Sequence, residues 1–178
     1  MTQRHTKSSR KKSIRHSDKI KRHTDDYYMR KAIALSTKNI ESTDGGPFGA
    51  IIVRDGKIIS YGTNKVVTKN DPTAHAEIEA IRSASKKLKS FNLQDCTIYT
   101  SCEPCPMCLS AIYWSKIEKI FYSNTRKDAA NINFSDDYIY RELKNKIQDR
   151  KIKMTQLLRN EALKAFEKWE RKKDKITY

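Results

Sequence analysis

The sequence predicts an α/β domain in which helices cover a mixed β-sheet, and three observations carry this expectation. Short β-rich runs alternate with segments whose apolar residues recur every three or four positions. Asp55-Gly56 joins two of those runs as a tight hairpin. At 178 residues the chain can bury one substantial core but is short for two. No internal repeat or Gly/Ser-rich linker divides it, so one folded unit is expected.

The elements follow in order. Thr24-Asp25-Asp26 has the residue types of a helix start, and Tyr28, Met29, Ala32, Ile33 and Leu35 continue at helical spacing. Gly45-Gly46-Pro47 ends that helix. Residues 49–54 read as a strand, and residues 57–61 return beside it as an antiparallel neighbour. Asn70-Asp71-Pro72-Thr73 is turn chemistry, after which Ile78, Ile81, Ala84 and Leu88 mark a helix over 74–88. His75 and Glu77 then fall in its first turn. Residues 96–100 form a third strand, 101–104 a loop, 105–114 a helix led by its cysteines, and 119–123 a fourth strand. Beyond Asn124 the pattern weakens, with 152–158 read as a fifth strand and 161–171 as a helix through Leu163, Phe166 and Trp169. Alternation of strand and helix after an opening hairpin implies a layered arrangement. Residues 25–154 make the main body and 155–178 a C-terminal segment of the same domain.

Half of the net charge of +16 sits in residues 1–24, where nine Lys or Arg face Asp18 alone. With only Ile14 and Ile20 as strongly apolar side chains after Met1, this extension is expected to be disordered by itself. A basic tail can grip nucleic acid, although a solvated extension explains it as well. The longest apolar runs, such as 49–53, are about five residues against the roughly 20 that span a bilayer, so no membrane span is expected. No secretory signal is read at the start, and three of the four cysteines lie within seven residues. That spacing suits a metal better than disulfides and fits a reducing, cytoplasmic compartment.

The chemistry concentrates in His75-Ala76-Glu77 and Pro104-Cys105-Pro106-Met107-Cys108. Cys105 and Cys108, three apart at a helix start, project to one side and can chelate one ion, with His75 arriving from the other helix. Soft sulfur with nitrogen argues for zinc, one ion per chain, and three protein ligands leave the fourth position for water. Two helix N-termini converging there favour thiolate over thiol. His75 is the one histidine outside the stretch that also holds His5, His16 and His23. Glu77, two residues from His75, does not share its helical face, which suits a carboxylate that moves protons beside the metal. His-x-Glu with Pro-Cys-x-x-Cys is the established signature of zinc deaminases. One reading competes: Cys102 could complete a closed Cys₃His structural site, which would make the domain a non-catalytic zinc module binding nucleic acid through its charge. Cys96, alternating with strand residues, is expected to be a small core side chain.

Longer stretches carry a resemblance. Gly45-Gly46-Pro47-Phe48-Gly49-Ala50, Asn70-Asp71-Pro72-Thr73-Ala74-His75-Ala76-Glu77 and the run from Tyr99 through Cys102, Cys105 and Cys108 to Trp114 resemble the bacterial guanine deaminases, within the cytidine/deoxycytidylate deaminase superfamily. The resemblance spans roughly residues 27 to 178. It implies a three-layer α-β-α cytidine-deaminase-like fold with a mixed five-stranded sheet, and zinc-dependent hydrolysis of guanine to xanthine and ammonia. It also implies a second proton shuttle in Phe134-Ser135-Asp136-Asp137-Tyr138-Ile139-Tyr140. Ser135 stands where the family more often has Asp; alignment on Phe134 and Tyr140 puts the shuttle at Asp136, with Asp137 as the alternative. Asn64 matches the asparagine that holds the purine, and Phe48 and Trp114 match aromatics lining the base pocket. A homodimer with a swapped C-terminal segment, placing Tyr178 over the partner's site, is implied as well. Within the superfamily, tRNA adenosine, guanosine and cytidine deaminases remain alternatives.

Overall fold

A computed structural model of the chain describes residues 23–177. The expectations for residues 1–22 and for Tyr178 lie outside the described residues. In chain order the elements are α1 (Asp25–Ile40), β1 (Gly49–Arg54), β2 (Lys57–Thr63), α2 (Val66–Lys69), α3 (Ala76–Leu88), β3 (Cys96–Cys102), α4 (Pro106–Trp114), β4 (Lys119–Asn124), α5 (Arg126–Asn131) and α6 (Asp137–Lys144). A 3₁₀ turn (Ile147–Asp149) and α7 (Arg159–Arg171) follow.

The sheet runs β2-β1-β3-β4, with β1 antiparallel to both its neighbours and β3 parallel to β4. It is mixed, as the sequence predicts. Asp55 and Gly56 both have positive φ, at 51° and 74°, the backbone that a two-residue hairpin requires. The strand residues split by alternation into two cores. Ala50, Ile52 and Ile98 pack with Ala76, Ala80 and Ala84 of α3 and Ile112 of α4, whereas Ile51, Val53 and Tyr99 pack with Tyr28 and Ala32 of α1. Because β1 is central and covered on both faces, it reads as one continuous apolar run rather than an alternating one. Three layers result: α1, the sheet, then α3 with α4.

Among the described residues the sheet has four strands and not the five expected. Residues 152–158 have no regular structure, and Ile152, Met154, Leu157 and Leu158 are exposed, so no sheet edge receives them. Apolar content alone made this segment look like a strand. Conversely β2, β3 and β4 run one or two residues past their expected ends, and α2, α5 and α6 were not anticipated. Among the described residues, no helix is long and apolar enough to cross a membrane.

Candidate active site

The first half of the site is made by the turn into α3. Asp71 Oδ1 accepts hydrogen bonds from the Thr73 amide at 2.8 Å and its hydroxyl at 2.7 Å, and Lys65 N donates to Ala74 O at 2.8 Å. The chain is thereby delivered to His75, which is the N-cap of α3 and not a residue of its first turn. Gly62 of β2 lets α3 approach closely: a Cβ there would lie 2.0 Å from the Ala76 carbonyl oxygen. This close seat brings Glu77 against the sheet, where it is only 6% exposed. Thr100 of β3 donates its hydroxyl to Glu77 Oε1 at 3.0 Å.

The second half comes from the loop between β3 and α4. Cys105 is the N-cap of α4, its sulfur accepting from the Cys108 amide at 3.5 Å, and Pro106 follows at the first helical position, where a missing N–H does no harm. Cys108 is fully buried. Both sulfurs lie 3.6 Å from Nδ1 of His75, and the ligand atoms of the three residues fall within 4.8 Å of one another. Nδ1 is therefore the metal-facing nitrogen. Cys108 Sγ also donates to Glu77 Oε2 at 3.4 Å, so the carboxylate touches the cluster without joining it as a ligand.

Two soft sulfurs and one imidazole nitrogen at this spacing fit zinc. Hydrogen bonds from Cys108 and then from His75 pull Cys105 down to about 4, while the bond to Cys105 together with burial pushes Cys108 up. His75 is raised, chiefly by its hydrogen bond to Cys105. Glu77 is raised, chiefly by burial. Cys102 stands apart from the cluster: its thiol donates to the Thr125 carbonyl at 3.6 Å, and burial pushes it up to about 11. It is not part of the ligand group, so among the described residues no fourth protein ligand completes a closed Cys₃His arrangement.

Above the cluster opens a cavity of about 750 Å³, lined among others by Phe48, Asn64, His75, Glu77, Cys105 and Asp136. Five widely separated segments thus supply one chamber. Of the two acidic candidates, Asp136 faces the cavity and is raised, chiefly by burial. Asp137 is exposed and pairs with Arg141 at 2.9 Å. Phe134 stacks edge-on against Phe48 with ring centroids 5.1 Å apart, and both line the chamber. The sequence reading used Phe134 only as an alignment mark, and it missed Arg126, which also lines the cavity and lies 4.7 Å from the Tyr140 ring.

Trp114 is not in this chamber. It ends α4, is 67% exposed, and borders a separate depression with Phe91 and Ile81. The reason is axial: Cys105 caps the start of α4, and nine residues at about 1.5 Å rise put Trp114 roughly 13 Å further on. Within one chain it does not sandwich a ligand against Phe48.

Comparison with known proteins adds the following. Residues 22–124 match the family described as the cytidine and deoxycytidylate deaminase zinc-binding region. The chain is 46% identical over 151 residues to guanine deaminase of Bacillus subtilis (strain 168), covering 85% of this chain and 97% of that protein. It is 36% identical over 148 residues to a tRNA-specific adenosine deaminase of Buchnera aphidicola subsp. Schizaphis graminum (strain Sg), covering 83% and 94% respectively. The X-ray structure of the Bacillus subtilis guanine deaminase superposes with a TM-score of 0.85 at 44% identity, covering 88% of this chain and 99% of that one.

Proposed function

The chain belongs to the cytidine and deoxycytidylate deaminase zinc-binding family, and on that premise we propose that it is a zinc-dependent aminohydrolase converting guanine to xanthine and ammonia. The observation that carries the reaction type is the buried Glu77 carboxylate beside the His75, Cys105 and Cys108 group at the base of the cavity. The choice of guanine is supported by the 46% identity across nearly the whole Bacillus subtilis enzyme and by the 0.85 superposition.

When bound, zinc supplies the Lewis acidity that brings the pKa of the attacking water toward 7. Glu77 receives the proton this water gives up and passes it to the ring nitrogen beside the amino-bearing carbon. The Thr100 hydroxyl fixes one carboxylate oxygen, and the other lies beside Cys108, on the side of the metal group where the proton is exchanged. A carbon–oxygen bond forms, the carbon–nitrogen bond breaks, and Glu77 and Asp136 deliver protons so that the nitrogen leaves as ammonia. Asn64 holds the purine and Phe48 contacts its face. Water is consumed and no redox partner is required.

The working unit in this reading is a homodimer. Residues of α7 are never buried, and Leu157, Phe166 and Ile176 are each more than 65% exposed, which suits a C-terminal segment seated on a second copy. Deleting residues 155–178 should give a monomer by light scattering and abolish turnover; a fully active truncated monomer would remove the dimer from the account. The reaction itself is tested by ammonia release from guanine with zinc-loaded protein, with guanosine, cytidine and adenine as comparison substrates.

A further inference from the structure

The polar side chain most deeply set into α1 is Asn39, 4% exposed on a helix whose other buried members are Tyr28 and Ala32. It does not cap its own helix. Both hydrogens of its Nδ2 are used across space, donated to Gly46 O at 2.8 Å and to Asn64 O at 3.1 Å. The Ser42 hydroxyl donates to the Asn39 backbone carbonyl at 2.9 Å, with Asn39 Oδ1 a longer alternative acceptor at 3.3 Å. One buried amide therefore ties the glycine loop before β1 to the loop after β2.

Asn64 is held on every other side too. Its N–H donates to Phe48 O at 3.2 Å, and its Oδ1 accepts from Val66 N at 3.2 Å. Gly45 lies so close that a Cβ there would be 2.1 Å from Asn64 Oδ1. With Oδ1 turned to Val66, Nδ2 is the polar atom of this side chain left for a ligand in the cavity that Asn64 lines. Such a donor selects a ring nitrogen or a carbonyl oxygen on the substrate.

We infer that Asn39 is a positioning residue for substrate binding: by clamping Gly46 and Asn64 it sets the place of the Asn64 amide, and with it the affinity for the base. This rests on the reading that Asn64 meets the substrate. The effect is on binding and not on proton transfer, because the hydrogen bonds of Asn39 run to Gly46 and Asn64 and not to Glu77, His75, Cys105 or Cys108. Loss of the clamp therefore raises KM and leaves kcat nearly unchanged, the pattern of uniform binding energy.

The test is a double-mutant cycle with zinc-loaded full-length protein. Asn39→Ala should raise KM for guanine on the order of tenfold with kcat within about twofold, while Asn64→Ala raises KM at least as much. In the double variant KM should match that of Asn64→Ala alone within about twofold, because Asn39 acts through Asn64. Tyr28→Phe, which removes the hydrogen bond to Gly56 O at the far end of α1, should lower the melting temperature without moving KM. If Asn39→Ala does not fold, Asn39→Leu, which keeps the side chain's volume and removes both Nδ2 donors, carries the same test with the same expected rise in KM. An unchanged KM in the variant that folds, or a rise that simply multiplies that of Asn64→Ala, overturns the clamp. An Asn64→Ala enzyme with unchanged KM would instead remove the reading of Asn64, and the clamp with it.

Discussion

Replacing Glu77 by Gln changes one oxygen to an amide nitrogen and removes the proton carrier while keeping the side chain's shape. Glu77 is fully enclosed, and its contacts are the Thr100 hydroxyl at 3.0 Å and the Cys108 sulfur at 3.4 Å. The amide oxygen can still accept from Thr100, so the fold should survive. General acid–base catalysis contributes about 10²- to 10⁴-fold, and Glu77 serves more than one proton transfer, so kcat for guanine should fall by roughly 10³-fold or more. That fall corresponds to a barrier about 4 kcal/mol higher. Stability should hold or improve, because burial disfavours the charged carboxylate and the amide carries no charge. The assay has three readouts on one preparation: ammonia release, zinc per chain by elemental analysis, and thermal melting. Turnover within about tenfold of the parent, at full zinc occupancy, would refute the proton-carrier assignment.

Other expectations follow from the same geometry. Cys108→Ser removes a fully buried sulfur from the ligand group, so purified protein should hold well under one zinc per chain and lose activity; full occupancy would contradict the assignment. Gly62→Ala sets a Cβ 2.0 Å from the Ala76 carbonyl and must push α3 off the sheet, destabilising by about 1–3 kcal/mol in denaturant unfolding. Tyr99 donates to Asp25 Oδ1 at 2.5 Å, and burial together with that bond raises its pKa. A raised pKa means this contribution is complete below the unfolded value near 10 and is lost as pH rises toward the folded one. Alkaline unfolding should therefore be flattened in Tyr99→Phe, which at neutral pH should cost about 1–2 kcal/mol. Removal of residues 1–24 should leave kcat/KM for guanine within about twofold; a large loss would assign the tail a part in the reaction.

The elements were legible in the sequence where burial is regular. The continuous apolar run of β1, covered on both faces, and the 3.6-residue period of α3, covered on one, each reflect packing against a layer, so apolar spacing locates them. The metal group was legible for a different reason, since few arrangements use a histidine and two cysteines at that spacing. Long-range geometry was not. Asn39 is buried and polar, and no hydrophobic pattern marks a side chain whose partners lie 7 and 25 residues away. Helix α5 buries only Ala129, although its capping box of Thr125 and Asp128 was a readable start signal. Residues 152–158 misled because apolar content was read as sheet without asking which edge would receive it. Trp114 lies outside the chamber of its own chain; motif matching carries residue identity but not distance along a helix.

Zinc-loaded full-length protein placed against free guanine and against tRNA in parallel, with ammonia release as the common signal, decides which reaction the site performs. Multiple turnovers on guanine, abolished by chelation and restored by zinc, are the expected result. Release from tRNA adenosine with none from guanine would contradict it.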